Sequence, residues 1–255
     1  MQPGRASRGI HRREGNYLIV PACKPNSLRL YLIRHGETEW SLSGQYTGRT
    51  DIPLTAHGES AAREVGKRLQ NVSFAHVLMS PLQRARQTCA LAALKPAAEI
   101  EPDLTEWSNG DYEGRTPAEI RELQPEWNLF RDGAPHGETP TQISDRVDRL
   151  ITRLRTLDGN VALFSHGHLC RVLAARWIGL SVEQAEHLLL STASISILSY
   201  EHDCSDEPAI ALWNAVSPEH PDTISLKQRA LDRWENEGGE IPNSQQTLTA
   251  VSIQT

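Results

Sequence analysis

The sequence predicts a three-layer α/β/α fold with a mainly parallel central sheet and a late antiparallel edge strand. Three observations carry that expectation. Short apolar runs of β-favouring residues alternate with segments of helical apolar spacing through the middle of the chain. Two of the runs end alike: residues 28–33 lead into Arg34, His35 and Gly36, and residues 160–164 lead into Ser165, His166 and Gly167. Two later runs, residues 194–200 and 209–213, alternate in the manner of antiparallel strands near a sheet edge.

Taken in order, the first strand (residues 28–34) is followed by residues 37–53, rich in Gly, Thr and Ser, which read as a surface loop over the strand end. Thr55 is a candidate N-cap for a helix carrying Ala61, Ala62, Val65 and Leu69, ending near Gln70. Residues 76–79 form a second strand. Ser80 and Pro81 are expected to open a helix that runs through Arg84, Arg86 and Leu91. A weak strand at residues 99–100 leads into an irregular stretch, residues 102–114. Helical patterns follow at residues 116–123 and 141–157, separated by a loop with Gly133, Pro135 and Gly137. After the strand at residues 160–164, residues 168–178 form the last crossover helix. The expected organisation is a disordered extension at residues 1–27, one α/β domain at 28–216, and a polar segment at 217–255. That last segment holds one amphipathic helix around Ile224, Leu231 and Trp234.

The formal net charge of −6 gives no electrostatic support to a general nucleic-acid or membrane-surface role. The charge is uneven: residues 1–27 carry five Lys or Arg against one acidic residue, and residues 201–255 carry three basic against ten acidic residues. No apolar run approaches the length of a membrane span. Cys23, Cys89, Cys170 and Cys204 form no CxxC pair, so neither zinc nor a redox motif is indicated. The plain reading is free thiols in the cytoplasm, with Cys89 and Cys170 as small core residues.

The residues at the strand ends suggest phosphoryl transfer without a metal. That chemistry needs a nucleophile, cations for the phosphoryl oxygens, and an acid for the leaving oxygen. His35 can serve as the nucleophile. Arg34 and Arg84 can bind phosphoryl oxygens bidentately. His166 stands at a second strand end, and Glu106 is the best-placed carboxylate to protonate the leaving alcohol and later deprotonate water. A metal held by His166 and His168 is disfavoured, because the strand-to-helix bend spoils their alternation and no Asp or Cys cluster accompanies them. No cofactor is expected, and the expected partner is a small-molecule phosphate ester. Homo-oligomerisation stays open.

Four motifs together carry a family resemblance. They are Arg34-His35-Gly36-Glu37-Thr38, then Ser80-Pro81-Leu82-Gln83-Arg84-Ala85-Arg86-Gln87-Thr88, then Glu106 with Gly110 and Glu113-Gly114, and last Ser165-His166-Gly167. Over residues 28–216 the chain resembles the histidine phosphatase superfamily, in its phosphoglycerate-mutase-like branch. The resemblance implies a phosphohistidine on His35, a phosphate pocket of Arg34, Arg84 and His166, and Glu106 as acid and then base. Trp40 to Gly48, Glu106-Trp107, Trp127-Asn128 and Asp206-Glu207-Pro208-Ala209 resemble the sedoheptulose-1,7-bisphosphatase type of sugar phosphatase. Ser41 stands where mutases carry an asparagine, and the mutase insertion after the general acid is absent. Both departures favour hydrolysis over phosphoglycerate mutation, with a broad-specificity acid phosphatase as the other alternative. Substrate contacts are expected from Ser41, Gln45, Tyr46, Thr47, Gly48, Gly167 and His168. For the loop residues, and for Arg49, self-packing is the alternative. Trp107 and Tyr112 either wall the pocket or pack their loop, and Arg86 is expected to pair with a nearby carboxylate.

Overall fold

A computed structural model describes residues 27–201 and 207–218. The strands are β1 (Arg29–Arg34), β2 (His76–Met79), β3 (Glu99–Ile100), β4 (Asn160–Ser165), β5 (Ile195–Tyr200) and β6 (Pro208–Ala215). They form one sheet in the order β3-β2-β4-β1-β5-β6. The pairs β3–β2, β2–β4 and β4–β1 are parallel, while β1–β5 and β5–β6 are antiparallel. The expected architecture is therefore present, with the antiparallel pairing at the β5–β6 side.

The alternation of side chains along the central strands makes the layers. Leu30 and Leu32 of β1, with Val161 and Leu163 of β4, face α6 (Pro140–Leu154) and α7 (Gly167–Trp177). Tyr31, Ile33, Ala162 and Phe164 face the opposite side, against Val65 and Leu69 of α2 (Ala56–Leu69) and Cys89 and Ala92 of α3 (Gln83–Ala92). Both faces of β1 and β4 are buried, which is why these strands read as near-continuous apolar runs.

Register then places the chemistry. Arg34 lies opposite Ser165 across the parallel β1–β4 pair, so His35 and His166 leave the sheet side by side. Met79 lies opposite Phe164 on the other side of β4, which brings Ser80 to the same level. Parallel strands deliver their following loops to one edge, and here the edge collects four of them.

Several boundaries differ from the sequence reading, each for a local reason. Residues 37–53 are not loop throughout: α1 (Glu39–Ser43) starts at a capping box between Thr38 and Ser41 and ends at Gly44, whose φ of 77° suits glycine. No residue of α1 is buried, so no apolar periodicity announced it. The helix expected from Ser80 and Pro81 begins instead at Gln83, because Ser80 is fully buried with its hydroxyl accepting from the Leu82 amide and bonded to His166. The helices α4 (Pro117–Leu123) and α6 both start at Pro behind a Thr capping box. The latter ends at Leu154, short of the expected residue 157. A four-residue helix, α5 (Leu129–Asp132), was too short to show in the pattern. No helix among the described residues is long and apolar enough to cross a membrane. The helix expected around Ile224 to Trp234 and the extension at residues 1–26 lie outside the described residues, as do Cys23 and Cys204.

Candidate active site

His35 is 4% exposed, and its Nδ1 lies 2.7 Å from the Gly36 carbonyl oxygen. A carbonyl only accepts, so this contact makes Nδ1 the protonated nitrogen and leaves a lone pair on Nε2. No hydrogen bond from Nε2 to a described residue accompanies it. Burial, then the charges of Arg84 and Arg34, hold the imidazole well below its ordinary pKa, with the Gly36 carbonyl opposing. The ring is neutral at pH 7. Thr88 fixes the turn: its hydroxyl accepts from the Gly36 amide at 3.0 Å and donates to the Arg84 carbonyl at 2.7 Å. Gly36 itself admits no side chain, since a Cβ there would lie 2.4 Å from the Gly58 carbonyl oxygen.

His166 has the opposite tautomer. Arg84 Nε donates to its Nδ1 at 3.1 Å, so its proton sits on Nε2, 2.7 Å from the Ser80 hydroxyl. The two rings are 5.3 Å apart between centroids. Burial, and then Arg84, His35 and Arg34, keep His166 neutral as well. Both of its nitrogens are engaged, so of these two rings His35 is the one that presents an unoccupied nitrogen. His166 is fully buried behind Arg84.

Arg84 is 1% exposed and held from three sides. Besides His166, it donates to the Thr50 carbonyl at 2.9 Å and the Gly48 carbonyl at 2.8 Å. Those carbonyls are set by Glu113, whose oxygens accept from the Arg49 and Thr50 amides at 2.7 and 2.8 Å and from the Thr50 hydroxyl. Arg34 donates to the Leu190 carbonyl, and its guanidinium lies over Gly167, where a Cβ would come 3.3 Å from it.

Glu106 caps α7 from a distance. Its Oε1 accepts from the Leu169 amide at 2.9 Å and the Trp107 amide at 2.8 Å, and its Oε2 accepts from the His168 amide at 3.1 Å. Burial pushes this carboxyl up, but a charge on His168, the Trp107 amide, Arg84 and the Leu169 amide together hold it below its usual range. Burial brings His168 down to about 4, so at neutral pH His168 is uncharged and the amides and Arg84 do the holding. The resting side chain is a carboxylate at a helix N-terminus.

These groups open into a cavity of about 250 Å³. Arg34, His35, Arg84, Glu106, Gly167 and His168 line it. The loop contributes Ser41, Gln45, Tyr46, Thr47 and Gly48. Within that loop the alternatives divide. The Gln45 amide donates to the Gly114 carbonyl at 2.6 Å and Ser41 Oγ closes the α1 capping box, so both serve the loop as well as the wall. Tyr46 stacks on His168 with ring centroids 5.5 Å apart and meets Trp127 edge-on. Arg49 does not reach the cavity. Trp107 packs its loop: it is fully buried, and its indole donates to the Glu138 carbonyl at 2.7 Å. Tyr112 is buried against Trp127. Arg86 makes no ion pair among the described residues, against expectation, because it projects from the exposed side of α3. Two larger surface hollows, of about 800 and 610 Å³, contain no histidine or carboxylate.

Residues 30–216 match the family described as Histidine phosphatase superfamily (branch 1). The chain belongs to the histidine phosphatase superfamily. Membership together with phosphatase-named relatives supports the enzyme class: the protein is a phosphoric monoester hydrolase. It is 36% identical to sedoheptulose 1,7-bisphosphatase of Saccharomyces cerevisiae, over 78% of this chain and 96% of that one. It is 38% identical to an acid phosphatase of Mycobacterium tuberculosis, over 74% of this chain and 95% of that one. A solved open-reading-frame product of M. tuberculosis superposes with a TM-score of 0.70 at 34% identity, covering 75% of this chain and 99% of that one.

Sequence reasoning about this histidine phosphatase quoted Ser80 and Glu113 within motifs without giving them a role, and passed over Arg171 and the Leu190 carbonyl. Arg171 lines the cavity and lies three residues after His168 on α7, a spacing that puts both on one helix face and could have revealed it. It donates to the Ala185 and Glu186 carbonyls and lies over the Phe130 ring. Burial, with Arg34 nearby, lowers its pKa to about 10, so it remains cationic. A backbone carbonyl such as that of Leu190 leaves no trace in side-chain pattern.

Proposed function

We propose that this histidine phosphatase hydrolyses small sugar phosphates or bisphosphates through a phosphohistidine on His35. The observation that carries the proposal is the His35 tautomer: a neutral imidazole with its Nε2 lone pair open, beside Arg34 and Arg84 in a polar cavity. Nε2 attacks phosphorus, the P–O ester bond breaks, and the alcohol leaves with a proton from Glu106. Arg34 and Arg84 neutralise the phosphoryl oxygens, and His166 keeps Arg84 in line. Resting Glu106 is ionised, and a bound phosphate dianion raises its pKa by like-charge repulsion, so the substrate itself loads the acid. Water then attacks the phosphohistidine, giving its proton to the Glu106 carboxylate and releasing inorganic phosphate. Two features favour a small anionic sugar ester: the cavity is smaller than the roughly 300–1,000 Å³ typical of drug-sized ligand pockets, and Arg171 adds a third cation to its wall. Similarity to the yeast sugar-bisphosphatase supports the same class.

Rapid quenching with labelled substrate is expected to trap an acid-labile, alkali-stable label on the protein that His35→Ala abolishes. Turnover without any such label would remove the covalent step. On 3-phosphoglycerate, phosphate release without isomerised product is expected; isomerisation would make the chain a mutase.

A further inference from the structure

Glu106 lies between β3 and α4, in the irregular stretch 105–109 that separates two three-residue 3-10 turns, Pro102–Leu104 and Gly110–Tyr112. The stretch is nevertheless held before Glu106 by the side chain of Arg146, and after it by the main chain and carboxylate of Glu138, its partner in a buried ion pair. Arg146 of α6 is 8% exposed and binds Glu138 in a two-pronged contact, Nε to Oε1 at 2.7 Å and Nη2 to Oε2 at 2.8 Å. Its remaining nitrogen, Nη1, donates to the Asp103 and Thr105 carbonyls at 2.8 and 2.7 Å. The carbonyl between them, on Leu104, accepts from the Ser165 hydroxyl at 2.7 Å. Beyond Glu106, Glu138 takes over: its carbonyl accepts from the Trp107 indole at 2.7 Å, and its amide donates to the Ser108 carbonyl at 3.0 Å.

Stability alone gives little reason for this arrangement. A buried ion pair is often no better than apolar side chains of the same volume, because desolvation offsets the attraction. The start of α6 is already capped by Thr139 and Gln142. What the pair supplies is placement: Arg146 grips the two residues that flank Leu104 on the approach to Glu106, and pairing with Arg146 anchors Glu138, whose main chain and Oε2 meet the two residues that follow it. We propose that the Arg146–Glu138 pair is the positioning device that sets the reach of the Glu106 carboxylate to the leaving oxygen. Neither side chain touches substrate. The proposal rests on the phosphatase reading and adds a prediction that reading lacks. Damage to the pair falls on proton delivery and spares phosphate binding.

The test uses the full chain and two esters, p-nitrophenyl phosphate, whose leaving group needs no proton, and glycerol 3-phosphate, whose leaving group does. Arg146→Lys keeps the charge but cannot span the carboxylate and two carbonyls at once. Glu138→Gln keeps the shape and weakens the grip on Arg146. Each is expected to lower kcat/KM on glycerol 3-phosphate by about tenfold to a hundredfold, because that ratio reports the steps up to phosphohistidine formation, while kcat/KM on the aryl ester stays within about twofold and the Kd for inorganic phosphate is unchanged. The high-pH limb of the kcat profile on the alkyl ester, where Glu106 loses the proton it donates, shifts with them. Should Arg146→Lys unfold in a thermal melt, Glu138→Gln and the double variant Arg146→Met/Glu138→Met, which leaves no charge unpaired, give the same readout. Equal losses on both esters, or no loss on the alkyl ester, overturn the positioning role alone. Inactivity of the unaltered chain on both esters overturns the phosphatase reading and the proposal with it.

Discussion

Two histidines leave adjacent strand ends with opposite tautomers, and single atoms decide which is which. The Gly36 carbonyl accepts from His35 and so keeps the proton on its Nδ1; Arg84 donates to Nδ1 of His166 and leaves the proton on Nε2. The strand-end residues Arg34, His35 and His166 stood out in the sequence because an apolar run ending abruptly in polar residues is a pattern, whereas Arg84 and Glu106 stood out by their place after a strand and by the motifs that carry the family resemblance. Ser80 was given no role because a serine before a proline reads as a helix start, and nothing in the string shows that it faces His166. Its role is measurable. Ser80→Ala leaves the buried Nε2–H of His166 without its acceptor, a loss of about 1–3 kcal/mol of stability by urea unfolding. An unchanged midpoint would show that His166 finds another partner. At Glu106, Gln keeps the shape and removes the titrating proton. Glu106→Gln is expected to cost about a hundredfold or more on alkyl phosphates and far less on aryl phosphates, and equal losses would take the acid role away from Glu106.

At the scale of elements, the segment after β1 separates what pattern can reveal from what it cannot. Residues 37–53 were read as a functional loop, which the cavity lining supports, yet α1 inside them escaped notice because a five-residue helix with no buried face has no periodicity. The loop after α1 is built as a clamp: Glu113 holds the amides of Arg49 and Thr50, and the carbonyls of Gly48 and Thr50 hold Arg84. Even Gly48 is dictated, since a Cβ there would fall 2.1 Å from the Glu113 carboxylate, at a φ of +53°. Glu113→Gln turns an amide nitrogen toward backbone donors and loosens the grip on Arg84. Because hydrogen bonds to charged groups contribute about 1.5–3 kcal/mol, KM is expected to rise roughly tenfold to a hundredfold. The rise should be the same for aryl and alkyl esters. A loss confined to alkyl esters would place Glu113 with the acid instead of the phosphate.

Across the whole molecule, the strand order was the least legible feature. Strands and helices could be placed from periodicity, but the pairing of β1 with β4, separated by more than a hundred residues of chain, is settled only by packing both faces at once. That pairing has a global electrostatic consequence, because it buries His35 and His166, and partly buries His168, near Arg34, Arg84 and Arg171. All three titrate below their ordinary value, chiefly through burial, and His168 does so at about 4. An unfolded chain takes up these protons near pH 6.5. Between that pH and the folded values, the unfolded state binds more protons than the folded one, so stability rises with pH there. The contribution is complete above about pH 6.5 and is lost as the pH falls toward about 4, at a limiting slope of about 1.4 kcal/mol per pH unit for each histidine. Urea unfolding at pH 7.5, 6 and 5 should therefore show a falling midpoint well before carboxylates titrate. His168→Phe keeps an aromatic ring against Tyr46 and removes one titrating group, so its stability should fall less steeply over the same range. A wild-type midpoint that stays flat from pH 7.5 to 5 would mean that the three rings take up protons as readily in the folded state as in the unfolded one, and the lowering of their pKa by burial would be overturned.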